Sequence, residues 1–215
     1  MNSNTKKLCT LAMLAALAYI VNATIQIPVV LFLRYTPTDV ILTIGGFLYG
    51  PMAALAMIVT TAFVHMLTLS RTGAIGFVMN VIAGASFVCT AAVFYKKNRT
   101  LKGAILGLIT GIILMTVTML LWNYILTPIF MEQAREEIVP LLFTAITPFN
   151  LLKGSLNAAL IMLLYKPVKK ALQSARMMPP SENVKTGKFD WGIALVSLFV
   201  IVSCVLWVMV LRGII

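Results

Sequence analysis

"TPFNLLKGSLNAALIMLLY", residues 147–165, has the apolar length of a membrane span yet carries Asn150, Lys153 and Asn157. On a helix of 3.6 residues per turn these three positions, spaced by three and seven, fall on one face. A lysine in a span costs about 2.5–3.5 kcal/mol even on the mild insertion scale. The ammonium must therefore face a cavity, a carbonyl-rich ligand or an anionic partner. The segment reads as one wall of a helix bundle with an interior.

The rest of the chain agrees: 60% of residues are apolar and only 11% charged, a balance that excludes a soluble domain. A span needs about 20 apolar residues. Runs starting near Leu8, Pro51, Phe77, Ala104, Leu141 and Gly192 are long enough, and Val40 to Gly50 makes a shorter one. The expectation is an all-α membrane protein of seven helices, one of them short. The first run is not read as a cleaved signal, since no clear small-residue cleavage site follows it.

Orientation follows from basic residues, which are retained in the cytoplasm. Lys6, Lys7, Lys96, Lys97, Arg99, Lys102, Lys166, Lys169, Lys170, Arg176, Lys185 and Lys188 share one side, leaving Arg34, Arg71, Arg135 and Arg212 on the other. This predicts a multi-pass cell-membrane protein with its N-terminus cytoplasmic and its C-terminus outside. The net charge of +11 is then a topology signal and an attraction to anionic lipid headgroups. Nucleic-acid binding, which wants basic residues interleaved with exposed aromatics on a soluble surface, is set aside. Cys9, Cys89 and Cys204 have no CxxC spacing and read as buried hydrophobes, and His65, the only histidine, cannot build a histidine-rich metal site.

Along the chain, "AMLAALA" puts Ala12 and Ala16 four residues apart, a spacing that lets another helix approach closely. "IPVVLFLRYTPTDV", residues 27–40, is too proline-rich for a span and reads as an irregular outer loop. "GGFLYGP" marks a tight turn, and Gly103, Gly107 and Gly111 favour a close helix contact. Thr-Pro at 36–37, 127–128 and 147–148 falls at outer helix ends, where freed backbone groups can be satisfied by a cavity. Asn123 brings a further amide to that depth.

The carboxylates separate the functional readings. Asp39, Glu132, Glu136 and Glu137 are expected outside and Glu182 and Asp190 inside, so Lys153 is expected to have no intramembrane acid in its own chain. Proton- or sodium-coupled carriers want buried acids or histidines, and membrane proteases want a Ser/His or paired-Asp set. What remains, amides and one lysine among aromatics and methionines, suits a neutral, planar, polar-edged ligand. Asparagines that merely knit helices together are the competing reading.

Several motifs, in order, carry a resemblance: "KLCTLAMLAALAYI", "TDVILTIGGFLYGPMAA", "NVIAGASFV", "YKKNRTLKGAILGLITG", "NYILTPIF" and "PFNLLKGSLNAALIMLLYK". Over residues 7–170 the chain resembles the riboflavin-specific substrate-binding S component of energy-coupling factor (ECF) transporters. The resemblance implies a six-helix vitamin-binding membrane subunit, not an enzyme and without a cofactor. It takes riboflavin as transported ligand and joins a transmembrane coupling subunit and two cytoplasmic ATPases. It places flavin contacts on Asn123, Asn150 and Lys153, with Asn80 a further match. Tyr35, Thr38 and Asp39 are added from "RYTPTDV", a loop looser than the family's pattern, and Ala12 and Ala16 fall on the motif that docks the coupling subunit.

The expected organisation is a vitamin-binding domain over residues 1–170, a cytoplasmic linker over 171–188 and an additional C-terminal helix over 189–215. No GxxxxGK[ST] occurs, so ATP belongs to other subunits. A structural or assembly role, or another vitamin, stands as the alternative.

Overall fold

The computed structural model describes residues 3–30, 33–70, 72–132, 134–174 and 191–211. Arg71, Arg176, Lys185, Lys188, Arg212, Glu182 and Asp190, all used in the charge reading, lie outside the described residues, as does most of the expected linker.

Nine helices, α1 Ser3–Thr24, α2 Thr38–Tyr49, α3 Pro51–Thr68, α4 Gly73–Gly84, α5 Thr90–Lys97, α6 Leu101–Met131, α7 Arg135–Leu141, α8 Thr147–Ser174 and α9 Trp191–Leu211, are seen among the described residues. π-helical turns at Ala85–Cys89 and Leu142–Ile146 join α4 to α5 and α7 to α8. The result is six rods long and apolar enough to cross a membrane, with α2 as a shorter apolar helix. The seven expected helices are thus present. Their outer surfaces expose Leu8, Leu67, Ile113, Leu121 and Phe199, as a chain solvated by lipid requires.

Small residues set the interior. Gly50 adopts φ +94, a left-handed conformation that a side chain would strain, and Pro51 starts α3 directly after it. Along α6, a Cβ added at Gly107 would meet Ala91 O at 2.8 Å, and one at Gly111 would meet Phe87 O at 2.8 Å. Both glycines therefore serve a close contact of the kind expected, Gly107 with α5 and Gly111 with the π-helical turn before it. Helix α2 is buried along nearly its whole length, from Thr38 to Phe47, and packs among α1, α3, α5 and α8. It is apolar all round because it meets neighbours all round.

One expectation needs correction here. Residues 27–40 form not an irregular loop but an antiparallel hairpin, β1 Ile27–Val30 and β2 Leu33–Tyr35, with Ile27 opposite Tyr35 and Pro28 opposite Arg34. Proline is tolerated on such a two-stranded edge, where its missing N–H removes no central ladder bond. Thr127-Pro128 falls near the end of its helix, as expected: α6 continues only to Met131 before Glu132 takes a left-handed cap at φ 53.

The hairpin turns inward. Val29 and Tyr35 pack with Phe149 at the start of α8, and Val208 near the end of α9 covers the same cluster. Helices α8 and α9 are therefore antiparallel neighbours.

Candidate functional site

At the end of the bundle opposite the basic loops, α4, α6, α8 and β2 surround a cavity of about 200 Å³. Its walls include Met79, Met119 and Phe149, and its polar lining includes Asn80, Asn123, Asn150 and Lys153. A second compartment, about 50 Å³, lies beside it and is bordered by Asn22, Thr36, Thr38 and Asp39. Asn80 and Lys153 line both.

Lys153 is not alone. Its Nζ lies 3.0 Å from Asp39 Oδ2, with the two side chains only 15% and 10% exposed. The expectation that Lys153 has no acidic partner in its own chain is overturned, because the hairpin folds back onto the bundle and places the first turn of α2, with Asp39, beside α8. The side chain of Asn157 completes the arrangement by donating to Asp39 Oδ2 at 3.4 Å and accepting from Tyr35 Oη at 2.9 Å. Burial first, then the nearby Asp39 and Cys204, raises the Tyr35 phenol far above its usual value. It remains a donor to Asn157, whose amide in turn donates to the carboxylate of the charged pair. A buried ion pair keeps its stability only when such extra hydrogen bonds are present.

The two amides are pinned by their own helices. Asn123 Nδ2 donates to Met119 O at 2.7 Å while its Oδ1 accepts from Thr127 Oγ1 at 2.8 Å; Asn150 Nδ2 donates to Ile146 O at 2.8 Å. Each bond to a main-chain carbonyl uses one amide proton and fixes the plane, leaving that amide a second N–H. The Thr38 hydroxyl is buried and has no hydrogen-bond partner. Preorganised donors of this kind suit a small molecule whose polar groups lie along one edge.

All seven residues expected at the binding site therefore converge. Asn123, Asn150, Lys153 and Asn80 border the main cavity, Thr38 and Asp39 the small one, and Tyr35 stands behind them. Ala12 and Ala16 sit elsewhere, exposed on the free face of α1, while Leu14, Ala15 and Ala18 face the core. Asn157 was visible on the α8 stripe; its role as a bridge was not, because its partners come from the hairpin. Asn22 had no motif to mark it, and Thr36 was marked only as part of the Thr36-Pro37 pair. Among the described residues no cluster of three or more His, Cys, Asp or Glu could hold a metal ion.

A multi-pass helical bundle that encloses a polar-edged cavity has the architecture of a small-molecule-binding membrane protein. The particular family follows from comparison: the family model for the substrate-specific component of ECF transporters matches residues 6–165, and the chain belongs to that family. The riboflavin transporter RibU of Streptococcus thermophilus is 31% identical over 182 residues, covering 79% of this chain and 86% of that protein. RibU of Staphylococcus aureus is 29% identical over 177 residues, covering 78% and 93%. FmnP of Bacillus subtilis, also a riboflavin transporter, is 27% identical over 186 residues, covering 80% and 96%. A solved S component of a bacterial ECF transporter superposes with a TM-score of 0.68 at 31% identity, over 79% of this chain and 99% of that one. Helix α9 lies beyond the matched family region.

Proposed function

We propose that this chain is the riboflavin-binding subunit of an ECF-type uptake system. The observation that carries the reading is the two-compartment cavity joined at Asn80 and Lys153, in a chain whose relatives are named riboflavin transporters. Riboflavin has a flat tricyclic ring with polar atoms along one edge and a hydroxylated chain. The ring matches the larger space, where Met79, Met119 and Phe149 supply apolar walls and the pinned amides of Asn123 and Asn150 face its edge. The hydroxyls match the smaller one, where Thr36, Thr38 and Asn22 stand. A phosphorylated flavin is disfavoured: Lys153 is already paired with Asp39, and Arg34 at the cavity donates to Gln26.

The N-terminus is cytoplasmic and the C-terminus outside, as the basic loops demand, so the cavity opens outward. Its partners are a transmembrane coupling subunit, which docks on the exposed Ala12–Ala16 face, and two ATPases.

Equilibrium dialysis of the detergent-purified chain against riboflavin, its phosphate and an unrelated vitamin tests the ligand, with yellow absorbance as a first sign. Riboflavin is retained without ATP, and its phosphate more weakly. A folded protein that retains no riboflavin would overturn the reading. Ala12→Leu with Ala16→Leu tests the docking face: binding stays unchanged while uptake falls in cells that supply the partner subunits.

A further inference from the structure

A second pocket lies at the opposite, basic end of the bundle. It holds about 130 Å³ and is lined by Phe47 of α2, Tyr95 of α5, Tyr165 and Lys166 of α8, Ile193 of α9 and Arg99 in the turn before α6. Its floor is aromatic: the Phe47 and Tyr95 rings stack at 4.4 Å, and Tyr165 meets both edge-on at 5.7 Å. The Tyr95 and Tyr165 hydroxyls share one hydrogen bond at 2.8 Å, which occupies one of their two protons and leaves the other to donate. Arg99 and Lys166 are exposed at its rim, and Lys169 Nζ lies 6.0 Å from the centre of the Tyr165 ring. Among the described residues neither rim cation has a carboxylate partner. The described acids all sit toward the other end: Asp39 in the first turn of α2, Glu136 and Glu137 in the first turn of α7, and Glu132 at the C-terminal cap of α6.

We propose that this pocket binds the phosphodiester of an anionic phospholipid. The rim offers two cations and a spare phenol proton to phosphate oxygens, a guanidinium being well matched to them. Below it, Leu101, Met162 and Ile193 offer apolar surface to the glycerol and the first acyl carbons. A free inorganic phosphate would leave that surface uncovered. A choline headgroup would bring its positive charge against Arg99 and Lys166. Helix α9 forms part of the wall through Ile193, so the portion of the chain beyond the matched family region adds to a pocket whose aromatic floor and Arg99 lie within that region.

The test compares short-chain phosphatidylglycerol with phosphatidylcholine on the full detergent-purified chain, by native mass spectrometry and lipid-dependent thermal shift. Phosphatidylglycerol binds at least about tenfold tighter, the scale expected of two cations beside an anionic headgroup. Arg99→Gln with Lys166→Gln removes the preference, whereas Lys97→Gln with Lys102→Gln, which removes the same charge outside the pocket, retains it. Riboflavin titration of each variant checks that the bundle is intact. Equal binding of the two lipids by the native chain would overturn the proposal. So would an equal loss in both double variants, which would show diffuse charge attraction. Competition by millimolar inorganic phosphate alone would reassign the pocket to the free ion.

Discussion

Helices α8 and α9 are antiparallel neighbours of membrane length, and they do different things. The rod 135–174, which contains α8, has 44% of its most apolar window buried, while in α9 the share is 11% although α9 is the more hydrophobic. Helix α8 buries Asn150 and Asn157 beside Phe149, Leu152 and Gly154; among the described side chains of α9, only Ser197 and Cys204 are buried. Hydropathy thus says that a segment lies in the membrane and nothing about its use. Polar residues that survive inside an apolar helix indicate that a bundle interior, not lipid, surrounds them.

The largest effect that would sharpen this contrast lies at Lys153. Lys153→Met leaves Asp39 buried without its cation, so the empty protein should lose roughly 3–5 kcal/mol of stability. Riboflavin affinity should fall roughly ten- to a hundred-fold if the ammonium also donates to the ligand. Adding Asp39→Asn removes the orphaned charge and should recover most of the stability without restoring affinity. Thermal unfolding beside vitamin titration separates the two quantities. Full recovery of affinity in the double variant would assign the pair to the fold alone.

A smaller loss is expected at Asn150, where Asn150→Leu removes one neutral hydrogen bond and should weaken riboflavin by about two- to tenfold. Unfolding should shift little, because the bond given up is to the Ile146 carbonyl of its own helix. A change in stability as large as that of Lys153→Met would mean that the amide holds the bundle together.

Packing comes next. A Cβ at Gly154 would stand 2.8 Å from Ile112 Cγ1, so Gly154→Val should cost about 1–3 kcal/mol through overpacking between α6 and α8. On α9 the exposed Phe199 touches no core cluster, and Phe199→Ala should leave both stability and binding within about 0.5 kcal/mol. A large effect there would break the distinction between the two helices.

The smallest effect worth measuring is at the point where α9 reaches toward the site. Val208→Ala removes contact with Val29, Tyr35 and Phe149, of which Tyr35 supports Asn157 and Phe149 lines the cavity. An affinity loss of about two- to fivefold is expected, roughly the worth of one buried methylene. No change in a carefully matched titration would make α9 a lipid-facing addition at this end.

Much of the fold was legible because membrane insertion is a local property. Run length marked the spans, Gly50-Pro51 the turn into α3, and Gly107 and Gly111 a close helix contact, though not which segment makes it. The amide stripe of α8 was legible for the same reason, since helical periodicity alone puts Asn150, Lys153 and Asn157 together. The hairpin was not, because Pro28 and the short strands give a weak alternation, and its place depends on Phe149 and Val208 far along the chain. The π-helical turn at Leu142–Ile146 left no mark in the residue pattern, although it sets the rotation with which α8 enters the site.

By itself the sequence determined that this is a multi-pass membrane bundle with a polar interior, because the transfer cost of each segment is a sum over its own residues. Only the tertiary structure decided that Lys153 has an acid. Asn157 and Asp39, which meet around that lysine, are 118 residues apart, and their contact depends on a hairpin folding back between helices. Whether a carboxylate near a helix end meets water or an ammonium is a question of what packs over it, and no local pattern encodes that.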